Sequence, residues 1–263
     1  MIKKLFAEMI GTALLTLFTS GTAITIQASV FNTSGFLIST FSAFLIMYVL
    51  QELLREISGA HLNPVISFSM LLERKISFLE FIGYFLAQGI GAVIGAFLIS
   101  SIAEDNVSLT GGVVSLIDGN IAKTVIFETL VIGCFVWSIL TAQVKNNASI
   151  LIATSFGVCN LFLMMVDGGN LNPLKTLSIN LLSMIKQNDF TDISNLLFLC
   201  VIPFLGSILG WLLYSLFLPN EKDEYKPEKK AQKEQKGKNN EIFTDENGET
   251  WIISDDCSEK VEN

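Results

Sequence analysis

A single histidine, His61, and four cysteines without a Cys-x-x-Cys pair leave little from which to assemble a metal or nucleophilic centre. Cys134, Cys159 and Cys200 lie inside apolar runs and Cys257 near the C-terminal end, which argues against a disulfide framework or a zinc site. Charge is scarce too: only 16% of the 263 residues are Asp, Glu, Lys or Arg, and they gather towards the C-terminal end. The net charge of -8 arises partly there, and no basic patch with interleaved aromatics points to nucleic acid. With one histidine and two isolated glutamates, no Ser-His-Asp, Cys-His, paired-acid or metal constellation can be built, so neither an enzyme nor a cofactor is expected.

What the chain has is apolar length. Hydrophobic residues make up 51% of it and the mean hydropathy is +0.54, the composition of a polytopic membrane protein. A helix crosses a bilayer in about 20 residues, and stretches of that order occur at Leu5–Gln27, Phe36–Arg55, Phe78–Ile102, Ile121–Gln143, Ala148–Val166 and Ile193–Leu218. The first run, behind Met1 to Lys4, resembles a signal peptide. It is long, however, and contains Glu8 without a small-residue cleavage site, so it is read as a retained span.

Two shorter apolar segments interrupt the series, Asn63–Leu72 and Asn172–Ile185. Each opens on an Asn-Pro pair, in Ser58-Gly59-Ala60-His61-Leu62-Asn63-Pro64-Val65 and in Gly168-Gly169-Asn170-Leu171-Asn172-Pro173-Leu174-Lys175. Asparagine is a strong N-cap because its side-chain oxygen accepts an unpaired backbone N–H. Proline suits the first helical position, where no N–H is needed. Both segments are predicted to be re-entrant half-helices that start inside the membrane, where their ends require a polar cavity.

The order span, span, half-helix, span thus occurs twice. Both copies open on a span with one glutamate in an apolar setting, Glu8 in Phe6-Ala7-Glu8-Met9-Ile10-Gly11-Thr12 and Glu128 in Ile126-Phe127-Glu128-Thr129-Leu130-Val131-Ile132-Gly133. An odd number of crossings per copy inverts the second, so the half-helices enter from opposite faces and meet near the midplane. The predicted fold over residues 1–218 is all-α: six transmembrane helices plus two re-entrant half-helices in an inverted repeat.

Lys3, Lys4, Arg55, Arg74, Lys75 and Lys145 fall on one side of this topology, which makes that side, with both termini, cytoplasmic. The opposite loops, Ala28–Gly35 and Ala103–Asn120, contain the tripeptides Asn32-Thr33-Ser34 and Asn106-Val107-Ser108, which read equally as glycosylation acceptors or as unmodified loop. Residues 219–263 are rich in Lys, Glu, Asp, Asn and Gln and are expected to form a disordered, charged cytoplasmic tail. Within it, Thr250-Trp251-Ile252-Ile253 reads either as a docking motif for an unidentified protein or as part of an inert solubilising tail.

Two converging half-helix N-termini each contribute roughly half a positive charge, which disfavours a cation or hydronium where they meet. Asn63 and Asn172 can cap with the oxygen and still turn N–H donors towards the lumen, where one water or hydroxyl oxygen accepts both. Such a centre favours neutral, hydrogen-bonding solutes and interrupts a proton wire. Glu8 and Glu128 are costly without partners and are expected to accept N–H bonds from the irregular segments entering the half-helices; the other reading is a proton relay in a coupled transporter. His61 is expected to be a packed, hydrogen-bonded residue of the cytoplasmic vestibule.

With these residues placed, the chain from about Lys3 to Leu218 resembles the aquaporin, or major intrinsic protein, family. The first motif carries most of the resemblance, and the second is altered. The family usually has Asn-Pro-Ala at both places. Here Asn63-Pro64-Val65 and Asn172-Pro173-Leu174 would form the pore centre, and Lys175 stands where the family has arginine. The resemblance places that cation in an outer constriction, whose other members, counted back from each Asn-Pro, are Ala43, Asn160 and Gly169. Water-selective members carry a bulky aromatic and a histidine at the first two positions, so alanine and asparagine imply a wider, more polar constriction. Glycerol-conducting relatives have an aspartate after the arginine and longer loops, whereas this chain has Thr176 and short loops.

Lysine keeps the charge but exchanges a planar five-donor fork for a mobile point charge. It reads as a pore cation barrier or as a side chain snorkelling to the outer interface. Gly169 occupies the position of the cysteine in mercury-sensitive relatives, which leaves Cys159, beside Asn160, as the nominated pore-adjacent thiol. The expected function is passive permeation of water and small neutral solutes such as glycerol, urea or ammonia through a homotetramer in a lipid bilayer. An anion channel, an ion-coupled transporter and a weakly conducting structural membrane protein are the alternatives.

Overall fold

The computed structural model describes residues 1–29, 33–102, 116–145, 147–166, 170–217, 241–244, 250–254 and 257–260. The chain divides into two units, Met1–Phe217 and Leu218–Asn263. The first is built from α1 (Ile2–Ser29), α2 (Thr33–Ser58), α3 (Pro64–Leu72), α4 (Phe78–Ile102), α5 (Ile121–Ala142), α6 (Ala148–Val166), α7 (Pro173–Gln187) and α8 (Ile193–Phe217). Six of these, all but α3 and α7, are long and apolar enough to cross a membrane. At about 1.5 Å per residue, the 9 residues of α3 and the 15 of α7 fall short of a hydrocarbon core roughly 30 Å thick.

The expected boundaries of α4 and α6 match those of the structure. Helices α1 and α2 instead run beyond their apolar stretches at both ends, because backbone hydrogen bonding continues into polar residues that can sit at an interface. Helix α7 continues past Ile185 to Gln187 and stops where Asn188 turns left-handed at φ 52°. Of the predicted loop 103–120, only Leu116–Asn120 is described. It holds a single 3-10 turn, Ile117–Gly119, and the cap Asn120, whose Oδ1 accepts the Lys123 N–H at 3.1 Å. The tripeptide 106–108 and Asn32 lie outside the described residues.

The duplication read from the sequence is a duplication of packing. Helix α1 pairs with α4 and α2, and α5 pairs with α8 and α6 in the same manner. The half-helices cross over: α3 packs on α8 as well as on α4, and α7 packs on α4 as well as on α8. Each half closes its outer pair through two glycines four residues apart. A Cβ at Gly95 of α4 would lie 2.5 Å from the Ala13 carbonyl of α1, and one at Gly91 would collide with the Met9 carbonyl. In the second half a Cβ at Gly206 of α8 would lie 2.6 Å from Ile132 Cβ, and one at Gly210 would lie 2.5 Å from the Gly133 carbonyl of α5. Lipid supplies no hydrophobic drive for helices to associate, so such close backbone approach is how they gain packing.

The expectation of a wholly disordered tail fails for the described segments 241–244, 250–254 and 257–260. Strands β1 (Glu241–Thr244), β2 (Thr250–Ser254) and β3 (Cys257–Lys260) pair antiparallel in the order β1-β2-β3. Charge-rich composition suggested no core, but β-branched and aromatic residues concentrate locally in Ile242-Phe243-Thr244 and Thr250-Trp251-Ile252-Ile253. The stretch read as a docking motif is the central strand, paired on both sides, with Trp251 opposite Phe243 and Lys260.

Candidate functional site

The site begins with the two caps. Asn63 stands extended before α3 and accepts the Val65 N–H at 3.0 Å, with Pro64 at the first helical position. Asn172 does the same before α7, accepting the Lys175 N–H at 3.3 Å ahead of Pro173. Each amide then reaches into the other motif: Asn63 Nδ2 donates to the Leu171 carbonyl at 2.9 Å, and Asn172 Nδ2 donates to the Leu62 carbonyl at 2.9 Å. The N-terminal ends of α3 and α7 are thus bound to each other by a reciprocal pair of bonds, with both asparagines buried. One N–H of each amide, expected to face the lumen, is committed to the opposite motif. The second has no protein acceptor among the described residues.

A dense polar network braces the first motif. Glu8 Oε1 accepts from Ser58 Oγ at 2.6 Å and from the His61 N–H at 2.9 Å. Its Oε2 accepts from the Leu62 N–H at 2.6 Å and from Gln88 Nε2 at 2.8 Å. Gln51 donates to the Ala60 carbonyl and Tyr84 to the Ser58 carbonyl, both at 2.7 Å. This bracing holds a difficult backbone: Gly59, Ala60 and Leu62 have φ of 86°, 47° and 53°. For non-glycine residues the left-handed region costs about 1–2 kcal/mol each. His61 is buried, with Nδ1 3.1 Å from Ser67 Oγ and its ring edge-on to Tyr84 at 5.1 Å.

In the second motif the described contacts run through Asn170. Asn170, fully buried, donates to Glu128 Oε2 at 2.8 Å and to the Leu199 carbonyl of α8 at 2.7 Å. Sequence reasoning passed over Asn170, Gln88, Gln51, Ser58 and Tyr84. The signal was present in Gln88, Tyr84 and Gln51, polar groups inside apolar spans, which need partners when buried in a membrane.

The remaining nominated residues are spread over several elements. Val65 is fully buried in the main apolar cluster, and its carbonyl accepts from Ser207 Oγ of α8 at 2.9 Å. Leu174 lies towards α4, its Cδ2 3.9 Å from where a Cβ on Gly89 would stand. Ala43 on α2 is enclosed in that same cluster, and Asn160 on the adjoining α6 donates to Met164 Sδ at 3.2 Å. Gly169 lies outside the described residues. Lys175, in the first turn of α7, is only 8% exposed, which does not fit a side chain snorkelling outward. Cys159 faces the Val131 carbonyl of α5 at 3.7 Å, and it is Cys200 on α8 that touches a motif, 3.6 Å from the Pro173 carbonyl. Among the described residues no group of three or more His, Cys, Asp or Glu is placed to hold a metal ion.

Comparison with known proteins agrees with this geometry. The description "Major intrinsic protein" matches residues 1–214. The chain is 30% identical to the lens fiber major intrinsic protein of Bos taurus over 181 residues, 66% of each chain. It is 26% identical to Aquaporin-4 of Notomys alexis over 175 residues, 63% of this chain and 51% of that one. It therefore spans between about half and two thirds of the length of these relatives. The X-ray structure of the aquaglyceroporin from Plasmodium falciparum superposes with a TM-score of 0.69 at 19% identity, covering 82% of this chain and 94% of that one, a likeness of fold. An integral, multi-pass membrane protein with six apolar helices and two Asn-capped half-helices, the chain belongs to the major intrinsic protein family.

Proposed function

We propose that the protein is a passive channel for water and small neutral solutes, of the size of glycerol, urea or ammonia, that holds back cations and protons. The observation that carries this reading is the reciprocal bridge Asn63–Leu171 and Asn172–Leu62. It joins two helix N-termini, so two partial positive charges meet at one place, beside amide N–H groups that have room for one more acceptor. A neutral oxygen is welcome there and a cation is not. Lys175, buried in the first turn of α7, brings its basic side chain to the same end. Ala43, Asn160, Gly169 and Lys175 form the outer constriction in this reading. The likeness to aquaporins supports the solute class; the placement of Lys3, Lys4, Arg55, Arg74, Lys75 and Lys145 supports termini on the cytoplasmic side, and a homotetramer is part of the same reading.

Stopped-flow swelling of proteoliposomes under water, glycerol, urea and ammonia gradients tests the proposal. Flux above that of empty vesicles, without ionic current in planar bilayers, is the expected result. An anion current, or solute accumulation driven by an ion gradient, overturns it. Lys175→Ala is expected to raise sodium leak while leaving neutral flux in place, and an unchanged leak removes the barrier role from Lys175.

A further inference from the structure

Helix α8 carries a proline in its interior, Pro203. Proline has no N–H, so the carbonyl four residues earlier, that of Leu199, has no helical donor. Inside a membrane protein a freed carbonyl must find another partner. Here the partner is Asn170 Nδ2, 2.7 Å away, whose other N–H points to Glu128 Oε2 at 2.8 Å. Asn170 therefore spans from α5 to α8 two residues before Asn172, which caps α7 and reaches the Leu62 carbonyl. Next to Leu199, Cys200 Sγ touches the Pro173 carbonyl at 3.6 Å, so one turn of α8 contacts the motif on both sides of Asn172.

The first half lacks this device. Its equivalent of α8, helix α4, contains no proline, and the residue two before Asn63 is His61, held through its backbone N–H by Glu8. Pro203 and Asn170 explain each other. With an ordinary residue at 203, the Leu199 carbonyl would be taken by the helix. Without Asn170, Pro203 would leave that carbonyl unpaired.

We infer that Asn170 is a positioning residue that uses the carbonyl freed by Pro203 to set where Asn172 stands, and so sets the discrimination between water and larger neutral solutes. The inference rests on the channel reading above. Its test uses the full chain with Asn170→Ala, Pro203→Ala and the double variant, read in two ways. In thermal unfolding, Asn170→Ala lowers the midpoint, and adding Pro203→Ala raises it again, because residue 203 then supplies the missing N–H. In swelling assays at equal protein content, each single variant shifts the glycerol-to-water permeability ratio by about fivefold, the factor set by one hydrogen bond of about 1 kcal/mol. The double variant shifts it no further.

Simple loss of folded protein lowers both permeabilities together and leaves the ratio unmoved. Independent effects of the two substitutions on the midpoint overturn the inference, as does an unchanged ratio in a protein that conducts. If the unmodified chain passes no solute in any gradient, the channel reading falls and the inference falls with it, even where the midpoints couple.

Discussion

Glu8→Gln is the substitution that bears hardest on the site. The side chain is buried, and its two oxygens accept four donors at 2.6–2.9 Å, from Ser58, His61, Leu62 and Gln88. Glutamine keeps one oxygen and puts an NH2 where the other was, so two of those donors meet a donor. Hydrogen bonds to a charged group are worth about 1.5–3 kcal/mol each, which makes the loss about 3–6 kcal/mol. The same bonds hold Ala60 and Leu62 left-handed, a strain of about 1–2 kcal/mol each, so the loop has reason to move once released. At roughly 2–4 °C per kcal/mol for a domain of this size, the thermal midpoint in detergent should fall by about 6–24 °C. Water flux should fall at equal protein content, because Asn63 follows directly on this loop. Glu56→Gln, at an exposed position, serves as the control. A Glu8→Gln protein with an unchanged midpoint and unchanged flux would refute the view that this carboxylate holds the first motif.

Asn172→Asp keeps the cap oxygen but loses the donor to the Leu62 carbonyl and places a carboxylate against it. The midpoint should fall by an amount equivalent to about 1–3 kcal/mol and sodium leak should rise, and a tight, stable variant would count against the bridge. Gly210→Val, whose Cβ would sit 2.5 Å from the Gly133 carbonyl, and Gly95→Val, 2.5 Å from that of Ala13, should each cost about 1–3 kcal/mol or more, seen as loss of the monodisperse peak in size-exclusion chromatography. Gly89→Ala, whose nearest neighbour is Leu174 Cδ2 at 3.9 Å, should be close to neutral in the same assay. Where a mercurial inhibits flux, Cys200→Ser should relieve it and Cys159→Ser should not, since Cys200 faces the Pro173 carbonyl and Cys159 faces α5.

The sequence by itself determined the six spans, the two half-helices and their caps. Those features depend on local rules: apolar length against bilayer thickness, and an Asn-Pro pair at a helix start. Local rules misled where strand-forming residues were diluted in a charged tail, as in Thr250–Ser254. They also could not say which polar groups meet, because Glu8 and Gln88 are 80 residues apart and Asn172 and Leu62 are 110 apart. Tertiary structure decided that the asparagines bridge to each other's motif, that Glu8 braces the first motif, and that Asn170 in the second bridges Glu128 and the carbonyl of Leu199. The physical reason is that a buried polar group must be satisfied by whatever the packed helices bring within about 3 Å, and that depends on close approaches such as those at Gly91, Gly95, Gly206 and Gly210 rather than on any neighbour in the chain.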